Sequence, residues 1–261
     1  MNRILFETDE IQDGVATFSG ERVEHVMNVL HGEVGQVLKT GEINGPIGTS
    51  VITGISSSLI PHPSSLSITV RCSHTEKSIS PWIDLILAPP RPRVMKRLLP
   101  QLATMGVGRI FLVGAKKVEK DFWGATLLKP ENYRPLLIDG LMQAGTSVLP
   151  TLETRRNFRK FVKEELDTLW PEARRIVAHP YTVPSASSPT GADTGRLSSA
   201  GRRDGDGTVL AIGPEGGWTD EVVALLEEHG FARYSLGSRI LRTDTATIAL
   251  LAQLMKEVGE C

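Results

Sequence analysis

The spacing of apolar residues divides the chain into two parts. In residues 1–75, short apolar runs alternate with Gly, Pro, Ser and Asn, a pattern typical of β-strands joined by tight turns. This pattern predicts strands over residues 4–6, 15–18, 34–39, 49–55 and 67–70. Because short strands at such regular spacing favour a small barrel, we expect residues 1–75 to form a β-barrel domain.

One helix interrupts these strands. Apolar side chains at Val23, Val26, Met27 and Leu30 follow the i, i+3, i+4, i+7 spacing of one helix face and predict a helix over residues 21–30. The stretch 56–65, rich in serine and proline, is interpreted as a loop of the barrel. Residues 76–81 are interpreted as the linker to the next domain.

Beyond the linker, buried strands alternate with helices. Strands are predicted over residues 82–88, 109–113, 174–178 and 209–212, and helices over 94–105, 132–143, 157–169 and 245–258. Alternation of this kind favours a mostly parallel sheet with helices on both faces. We therefore expect an α/β domain over residues 76–261.

The last helix has a defined start and a defined apolar face. Asp244 stands just before it and is a suitable N-cap. One stripe of the helix carries Ile248, Leu251, Ala252, Met255 and Val258. We expect this stripe to pack inside the α/β domain or against a partner subunit.

The stretch 185–207 breaks the α/β pattern. It consists almost entirely of Ser, Gly, Thr, Pro, Asp and Arg, and such a composition cannot offset the entropy of ordering. We predict a disordered surface insertion between two strands. A plain linker between domains is the alternative, and the return of the sheet pattern at Thr208 favours the insertion.

Composition narrows the class of protein. The 261 residues carry a net charge of −1, with 40% hydrophobic and 23% charged residues, so no global basic field indicates nucleic acid. The two cysteines, Cys72 and Cys261, have no metal-binding spacing and suggest a reducing cytoplasm. We see neither a signal peptide nor a run of about 20 apolar residues that would span a membrane.

Two glycine-bearing loops are the candidate ligand site. Gly213–Gly217 directly follows the buried strand 209–212, and Leu236–Arg242 follows the next expected strand. In open α/β sheets ligands bind outside the carboxyl ends of the strands, so the two loops are predicted to wall one pocket. Alone, Gly213–Gly217 is equally consistent with a tight turn. It lacks the Lys-Ser/Thr of a Walker A loop, and no G-x-G-x-x-G is present.

The two loops together resemble those of RsmE-type ribosomal RNA methyltransferases of the SPOUT class. The matching motifs are Gly-Pro-Glu-Gly-Gly at 213–217 and Leu-Gly-x-x-Ile-Leu-Arg-x-acid-Thr-Ala at 236–246. A weaker resemblance covers nearly the whole chain. It includes His25, Val29, Leu30 and Gly35 in the family's PUA-like barrel and the Met105–Ile110 junction.

This resemblance implies a fold, a cofactor and a substrate. The expected fold is an α/β trefoil-knotted parallel sheet preceded by a PUA-like, RNA-binding barrel, in a homodimer. The family transfers a methyl group from S-adenosylmethionine to N3 of a uridine in small-subunit ribosomal RNA, free or assembled. The residues implied to bind the cofactor are Ala178, His179, Pro180, Ile212, Gly213, Pro214, Glu215, Gly216, Gly217, Leu236, Gly237, Ser238, Ile240 and Leu241.

Two charged residues are candidates for catalysis. Uracil N3 is a poor nucleophile until its proton leaves, so the site must accept that proton or stabilise the resulting anion. Arg242 is permanently charged and its forked guanidinium suits uracil oxygens or phosphate, although a surface salt bridge is the alternative. Asp244 either orients Arg242, assists proton removal or only caps the helix. Glu215 either braces its loop or contacts the ligand.

Basic clusters are the candidate RNA contacts. One comprises Arg91, Arg93, Lys96 and Arg97 at a predicted helix start, and another comprises Arg155, Arg156, Arg159 and Lys160. Solvated helix faces are the alternative for both. His25 and His31 are candidate RNA contacts in the barrel. Trp123 and Trp218 are interpreted as packing residues rather than as base-stacking platforms.

Several positions depart from the family pattern: His31, Thr104, Met142, Thr146 and Asp244. Three of them, His31, Met142 and Thr146, motivate an alternative function, an RNA-binding protein that keeps the fold but has a changed target or no catalysis. A third possibility, a phosphate-binding nucleotide enzyme, is disfavoured because no lysine or hydroxyl residue directly follows Gly217. No Cys/His cluster indicates a metal.

Overall fold

The structure is a computed structural model that describes residues 2–57, 66–116, 118, 120–180 and 207–257. The predicted insertion 185–207, apart from Gly207, lies outside the described residues, as does most of the predicted loop 56–65. The chain divides into two compact units. One comprises Met1–Pro81 together with Arg134–Leu149, and the other comprises Trp82–Tyr133 and Pro150–Cys261.

The first unit contains a curled six-stranded sheet. Its order is β1-β4-β5-β6-β3-β2, with β1 parallel to β4 and the other pairs antiparallel. Alternate side chains such as Ala16 and Phe18 face a core that also contains Phe6 and Ile68. The strands are β1 (Ile4–Phe6), β2 (Ile11–Gln12), β3 (Val15–Ser19), β4 (Val37–Glu42), β5 (Ile47–Ser57) and β6 (Leu66–Glu76).

Helix α1 (Glu21–Asn28) covers the same core with Val23 and Val26 but is shorter than predicted. The chain leaves the helix after Asn28 because Gly32 donates its N–H back to Val26 O and His31 adopts a positive φ of 50°. Leu30 is consequently 39% exposed and does not belong to the buried face.

The second unit contains a six-stranded sheet in which every pair is parallel, as the sequence pattern predicted. Its order is β12-β10-β11-β7-β8-β9. The central strand β11 is buried along its whole length, which explains its uninterrupted apolar sequence. The strands are β7 (Ile83–Leu87), β8 (Val107–Val113), β9 (Thr151–Arg155), β10 (Arg174–Ala178), β11 (Thr208–Ile212) and β12 (Ala232–Tyr234).

Helices cover both faces of this sheet. On one face, α2 (Pro92–Thr104) packs against β8 and against α7 (Thr243–Glu257). On the other face, α4 (Phe158–Glu164), α5 (Leu166–Leu169) and α6 (Asp220–Glu228) bury apolar side chains in one cluster with Phe111 and Trp170. Helix α3 (Pro130–Ala144) connects the two units in sequence.

The predicted single helix over residues 157–169 is wrong. The structure has two short helices, α4 and α5, which meet at Glu165. The strand β9 before them was not predicted, since an edge strand needs no continuous apolar run and Thr-Leu-Glu-Thr-Arg is largely polar. Arg155 is the last residue of this strand and does not lie at a helix start as predicted. Its side chain binds Glu165 and Glu153.

The last helix differs from its prediction in start and in buried face. It begins at Thr243, so Asp244 lies in the first turn and is not the N-cap. Ala246 N–H instead bonds to Arg242 O at 2.8 Å. Val258 lies outside the described residues. Of the other four residues of the predicted stripe only Leu251 is fully buried, because the helix turns a neighbouring face inward. That face carries Thr243, Thr247, Leu250, Leu251 and Leu254.

Candidate functional site

Three loops at the carboxyl edge of the parallel sheet enclose a pocket. The strands β10, β11 and β12 are parallel neighbours, so the loops that follow them emerge side by side. The pocket volume is about 390 Å³, within the usual range for small-molecule sites. The lining residues are Ala178, His179, Pro180, Ile212, Gly213, Pro214, Glu215, Gly216, Gly217, Tyr234, Ser235, Leu236, Gly237, Arg239, Ile240, Leu241, Thr243, Ala246 and Leu250.

The loop after β11 requires glycine for two different reasons. A Cβ on Gly213 would lie 2.9 Å from Trp218 N and 3.1 Å from its Cγ, so only glycine fits against this buried tryptophan. Gly217 has a φ of +73°, and its N–H bonds to Pro214 O at 2.7 Å. The segment is therefore a tight turn and a pocket wall at once.

The loop after β12 is attached to the loop after β10. The Ser235 hydroxyl donates to Pro180 O at 3.2 Å, and His179 N–H donates to Tyr234 O at 3.0 Å. Beyond this attachment, Leu236 is 41% and Ile240 is 75% exposed. These two apolar side chains line the pocket while remaining largely open to solvent, so they offer contact area to a bound molecule.

The first turn of α7 is attached to the loop after β11. The buried hydroxyl of Thr243 donates to Gly213 O at 3.5 Å, and Thr247 Oγ1 donates to Thr243 O at 2.7 Å. The two candidate catalytic residues flank Thr243 in sequence. Arg242 is 70% exposed, and its Nε lies 4.0 Å from Oδ1 of Asp244, which is 27% exposed.

Asp244 has a second role in this turn. Its Oδ1 accepts the backbone N–H of Thr245 at 2.9 Å. A carboxylate in the first turn of a helix also interacts favourably with the positive end of the helix dipole. Asp244 therefore stabilises the start of α7 and faces the Arg242 guanidinium at the limit of ion-pair distance.

The structure brings together nearly all residues that the sequence assigned to the cofactor. Every one of them except Ser238 lines the pocket. Sequence reasoning missed Tyr234, Ser235 and Arg239, and also Thr243, Ala246 and Leu250 on α7. The i, i+3, i+7 spacing of the last three was a usable signal, because it places them on one helix face.

Tyr234 connects the pocket wall to the far end of α7. Its hydroxyl donates to Glu257 Oε1 at 3.1 Å, and Arg174 Nη2 reaches Oε2 of the same carboxylate at 3.3 Å. Burial, followed by the charge of Glu257, raises the pKa of Tyr234. The phenol is thus held as a neutral hydrogen-bond donor.

The predicted RNA contacts fall on both compact units. Arg91, Arg93, Lys96 and Arg97 are all exposed, Arg91 at the N-cap of α2 and the others in the first half of that helix. His25 and His31 belong to the first unit, where His31 is exposed. The Nε2 atom of His25 is buried without a hydrogen-bond partner.

Within the described ranges, no group of three or more His, Cys, Asp and Glu side chains is arranged to hold a metal ion. Among the helices that the structure describes, none is both long and apolar enough to cross a membrane. Met142, one of the departures from the family pattern, is only 6% exposed, and its carbonyl accepts the N–H groups of Asn2 and Arg3. Met142 is therefore a packing residue of the first unit.

The class of protein follows from the parallel sheet with its pocket of loops, together with the protein family that the sequence matches. Residues 77–255 match a family described as the RNA methyltransferase domain. Ribosomal RNA small subunit methyltransferase E of Treponema pallidum is 30% identical over 98% of this chain and 91% of its own length. The chain therefore belongs to the ribosomal RNA small subunit methyltransferase E family, which confirms the resemblance.

Solved structures agree on the fold. A Legionella pneumophila methyltransferase, solved with its cofactor S-adenosylmethionine, is 26% identical with a TM-score of 0.70 over 98% of this chain and 97% of its own. Ribosomal RNA small subunit methyltransferase E from Neisseria gonorrhoeae, solved with S-adenosylmethionine, is 20% identical with a TM-score of 0.66 over 98% and 97%. The predicted SPOUT-type fold is confirmed.

Proposed function

We propose that this protein methylates N3 of a uridine in small-subunit ribosomal RNA, with S-adenosylmethionine as methyl donor. The observation that carries the proposal is the pocket formed by the loops after β10, β11 and β12. It contains the motif residues of Gly213–Gly217 and Leu236–Leu241 next to the N-terminus of α7, in a chain of an RNA methyltransferase family.

The residues of the pocket suit S-adenosylmethionine. Leu236, Ile240, Leu241 and Leu250 provide apolar surface for a planar base, and the glycine-rich segment 213–217 lets backbone groups approach a ligand closely. The pocket has few fixed charges among its lining residues, which suits a neutral adenosine and a zwitterionic amino-acid group better than a triphosphate. When bound, S-adenosylmethionine supplies an electrophilic methyl group on a sulfonium.

The protein's own contribution is to make uracil N3 nucleophilic. Loss of the N3 proton leaves a negative charge shared with the neighbouring carbonyl oxygens. We assign stabilisation of this charge to Arg242, because its guanidinium is permanently charged, largely exposed and adjacent to the pocket residue Thr243. The positive end of the α7 dipole acts in the same direction.

Asp244 is assigned to holding Arg242. Its Oδ1 is fixed by the Thr245 N–H and lies 4.0 Å from Arg242 Nε, a separation that limits the arginine's freedom without occupying its terminal nitrogens.

For RNA contact we propose the exposed cations of α2, Arg93, Lys96 and Arg97, together with Arg91 at its N-cap. Phosphate contacts from such groups make binding sensitive to salt. His25, His31 and the barrel-like first unit are proposed to contact the same RNA. The homodimer and the cytoplasmic location stay predictions.

The test is methyl transfer from labelled S-adenosylmethionine to small-subunit ribosomal RNA, presented both free and in assembled subunits. The expected product, after digestion and mass spectrometry, is 3-methyluridine at one site. Cofactor and RNA binding without transfer would refute the proposal in favour of an RNA-binding protein without catalysis. A methyl group on another base or on ribose would refute the assigned target.

The role of Arg242 has its own test. Arg242→Ala should lower kcat by about 100-fold, the usual effect of removing one group that stabilises transition-state charge, with little change in cofactor Kd. Lys256→Ala, an exposed cation in the last turn of α7, is the matched control and should leave kcat unchanged. Equal activity of the two variants would show that Arg242 is not catalytic.

A further inference from the structure

A second cleft opens at the carboxyl edge of the same parallel sheet. It has a volume of about 490 Å³ and is lined by the segment after β8, the segment after β9 and the start of α6. None of its lining residues lines the cofactor pocket described above. We call it the β8–β9 cleft. Its charged lining residues are Lys116, Arg156, Arg159 and Glu221.

The charge of the β8–β9 cleft contrasts with that of the whole chain. The chain carries a net charge of −1, whereas this cleft has three cations and one carboxylate. The carboxylate does not block the cations. Glu221 pairs with Arg159 at 2.9 Å, but the side chains are 80% and 59% exposed, and such a pair contributes at most about 1 kcal/mol. An anionic ligand can replace it at small cost.

One cation is held in a defined orientation. The Arg156 guanidinium lies 5.5 Å from the centre of the Trp123 ring, and its Nη2 donates to Trp123 O at 3.1 Å. The backbone beneath it is close-packed: a Cβ on Gly114 would lie 2.0 Å from Arg156 O. A guanidinium fixed in this way loses little entropy when it binds phosphate.

The β8–β9 cleft and the cofactor pocket share one continuous stretch of backbone. Gly217 lines the pocket, Thr219 lines the cleft, and only Trp218 separates them. Two virtual bonds between consecutive Cα atoms span at most about 7.6 Å. The Trp218 side chain is buried and its ring stacks on Phe158 of α4 with centroids 5.2 Å apart, which anchors this stretch of backbone.

We propose that the β8–β9 cleft binds the phosphodiester backbone of the RNA substrate beside the nucleotide that is methylated. The inference rests on the proposed function, because the cofactor pocket defines where the reacting base must be. A cation-lined concavity within two residues of that pocket meets the adjoining phosphates of any RNA whose base enters it. Affinity from this cleft is independent of sequence, so it positions the strand rather than selecting the base.

The test compares two double variants with equal loss of charge. Lys116→Gln/Arg156→Gln removes two cations of the β8–β9 cleft. Lys163→Gln/Lys256→Gln removes two exposed lysines, on α4 and α7, that line neither the cleft nor the pocket. For each protein we would measure the Kd for small-subunit ribosomal RNA between about 50 and 200 mM salt. The Kd for S-adenosylmethionine and the unfolding midpoint would be measured alongside.

The cleft variant should bind RNA about tenfold more weakly at the lower salt concentration. The slope of the logarithm of its RNA affinity against the logarithm of salt concentration should decrease in magnitude by about 1.4, or about 0.7 for each lost phosphate contact. The ratio of its Kd for RNA to that of the wild type should therefore be about sevenfold smaller at the higher salt concentration. In methyl transfer its KM for RNA should rise while kcat stays near that of the wild type. The cofactor Kd should not change.

The outcomes separate this inference from the proposed function. If the wild type methylates RNA and both double variants bind RNA equally well, the β8–β9 cleft is not an RNA site and the function stands. If the wild type transfers no methyl group but the cleft variant alone loses RNA affinity, the function fails and the cleft remains an RNA site. Absence of both RNA binding and transfer in the wild type would overturn both.

Discussion

Replacement of Gly213 by alanine tests whether the loop after β11 determines cofactor affinity. The new Cβ would lie 2.9 Å from the backbone nitrogen of Trp218 and 3.1 to 3.2 Å from its ring atoms. Contacts below 3.0 Å do not occur for real Cβ atoms, so either the loop or the tryptophan must move. Trp218 is only 6% exposed and stacks on Phe158, so the loop is the part that moves.

The magnitude follows from the cost of overpacking. One extra methyl group in a close-packed site costs about 1 to 3 kcal/mol. If the strain is relieved only by displacing the loop from its binding position, the Kd for S-adenosylmethionine rises about 5- to 150-fold. Gly213 does not have a positive φ, so steric contact rather than backbone strain causes this effect.

The assay is calorimetric titration of S-adenosylmethionine together with thermal unfolding. Gly230→Ala is the matched control. Gly230 lies two residues after the end of α6, has a φ of +79°, would have no atom within 4 Å of an added Cβ and does not line the pocket. It should lose about 1 to 2 kcal/mol of stability through backbone strain and keep its cofactor Kd.

Two results would refute the reasoning. If Gly213→Ala binds S-adenosylmethionine with the wild-type Kd, the loop position does not set affinity. If Gly230→Ala weakens binding as much as Gly213→Ala does, lost global stability and not local geometry explains the effect.

Two further predictions concern stability. Asp84 accepts three hydrogen bonds, from the backbone N–H and Nε of Arg109 and from Trp170 Nε1. Asp84→Ala removes the acceptor of all three N–H groups and should lower the free energy of unfolding by about 2 to 3 kcal/mol in urea titrations, with the cofactor Kd unchanged. A loss below about 0.5 kcal/mol would contradict this prediction. Burial lowers the pKa of His74, so the unfolded chain binds a proton below about pH 6.5 that the folded protein does not. Stability should therefore fall on acidification below that pH, and His74→Gln should show a smaller fall; parallel pH curves would refute it.

The sequence predicted the elements whose residues repeat a strong pattern. The strand β11 is an apolar run because it is buried on both faces, and β3 alternates because only one face is buried. The pocket was predictable for a related reason. Its loops need glycine at 213, 217 and 237 for close packing or a positive φ, and that need is visible in the sequence.

The errors arose where tertiary contacts outweigh the local pattern. The edge strand β9 is held by pairing with β8 and by the bonds of Arg155 to two carboxylates, and neither leaves an apolar signature. The start of α7 is set by the contact between Thr243 and Gly213, which are 30 residues apart. The sequence named Arg156 and Arg159 as candidate RNA contacts but could not predict the β8–β9 cleft that they line, because its three segments meet only in the folded sheet.

The division of the chain affects how the protein is made. The first compact unit needs residues 134–149 as well as 1–81, and Arg134 there binds Glu7 with both terminal nitrogens. During synthesis the N-terminal strands leave the ribosome long before these partners exist. The first unit can therefore be completed only after about a third of the second, Trp82–Tyr133, has been synthesised. Expression of residues 1–81 alone should give a fragment that stays incompletely folded until a peptide of residues 134–149 is supplied.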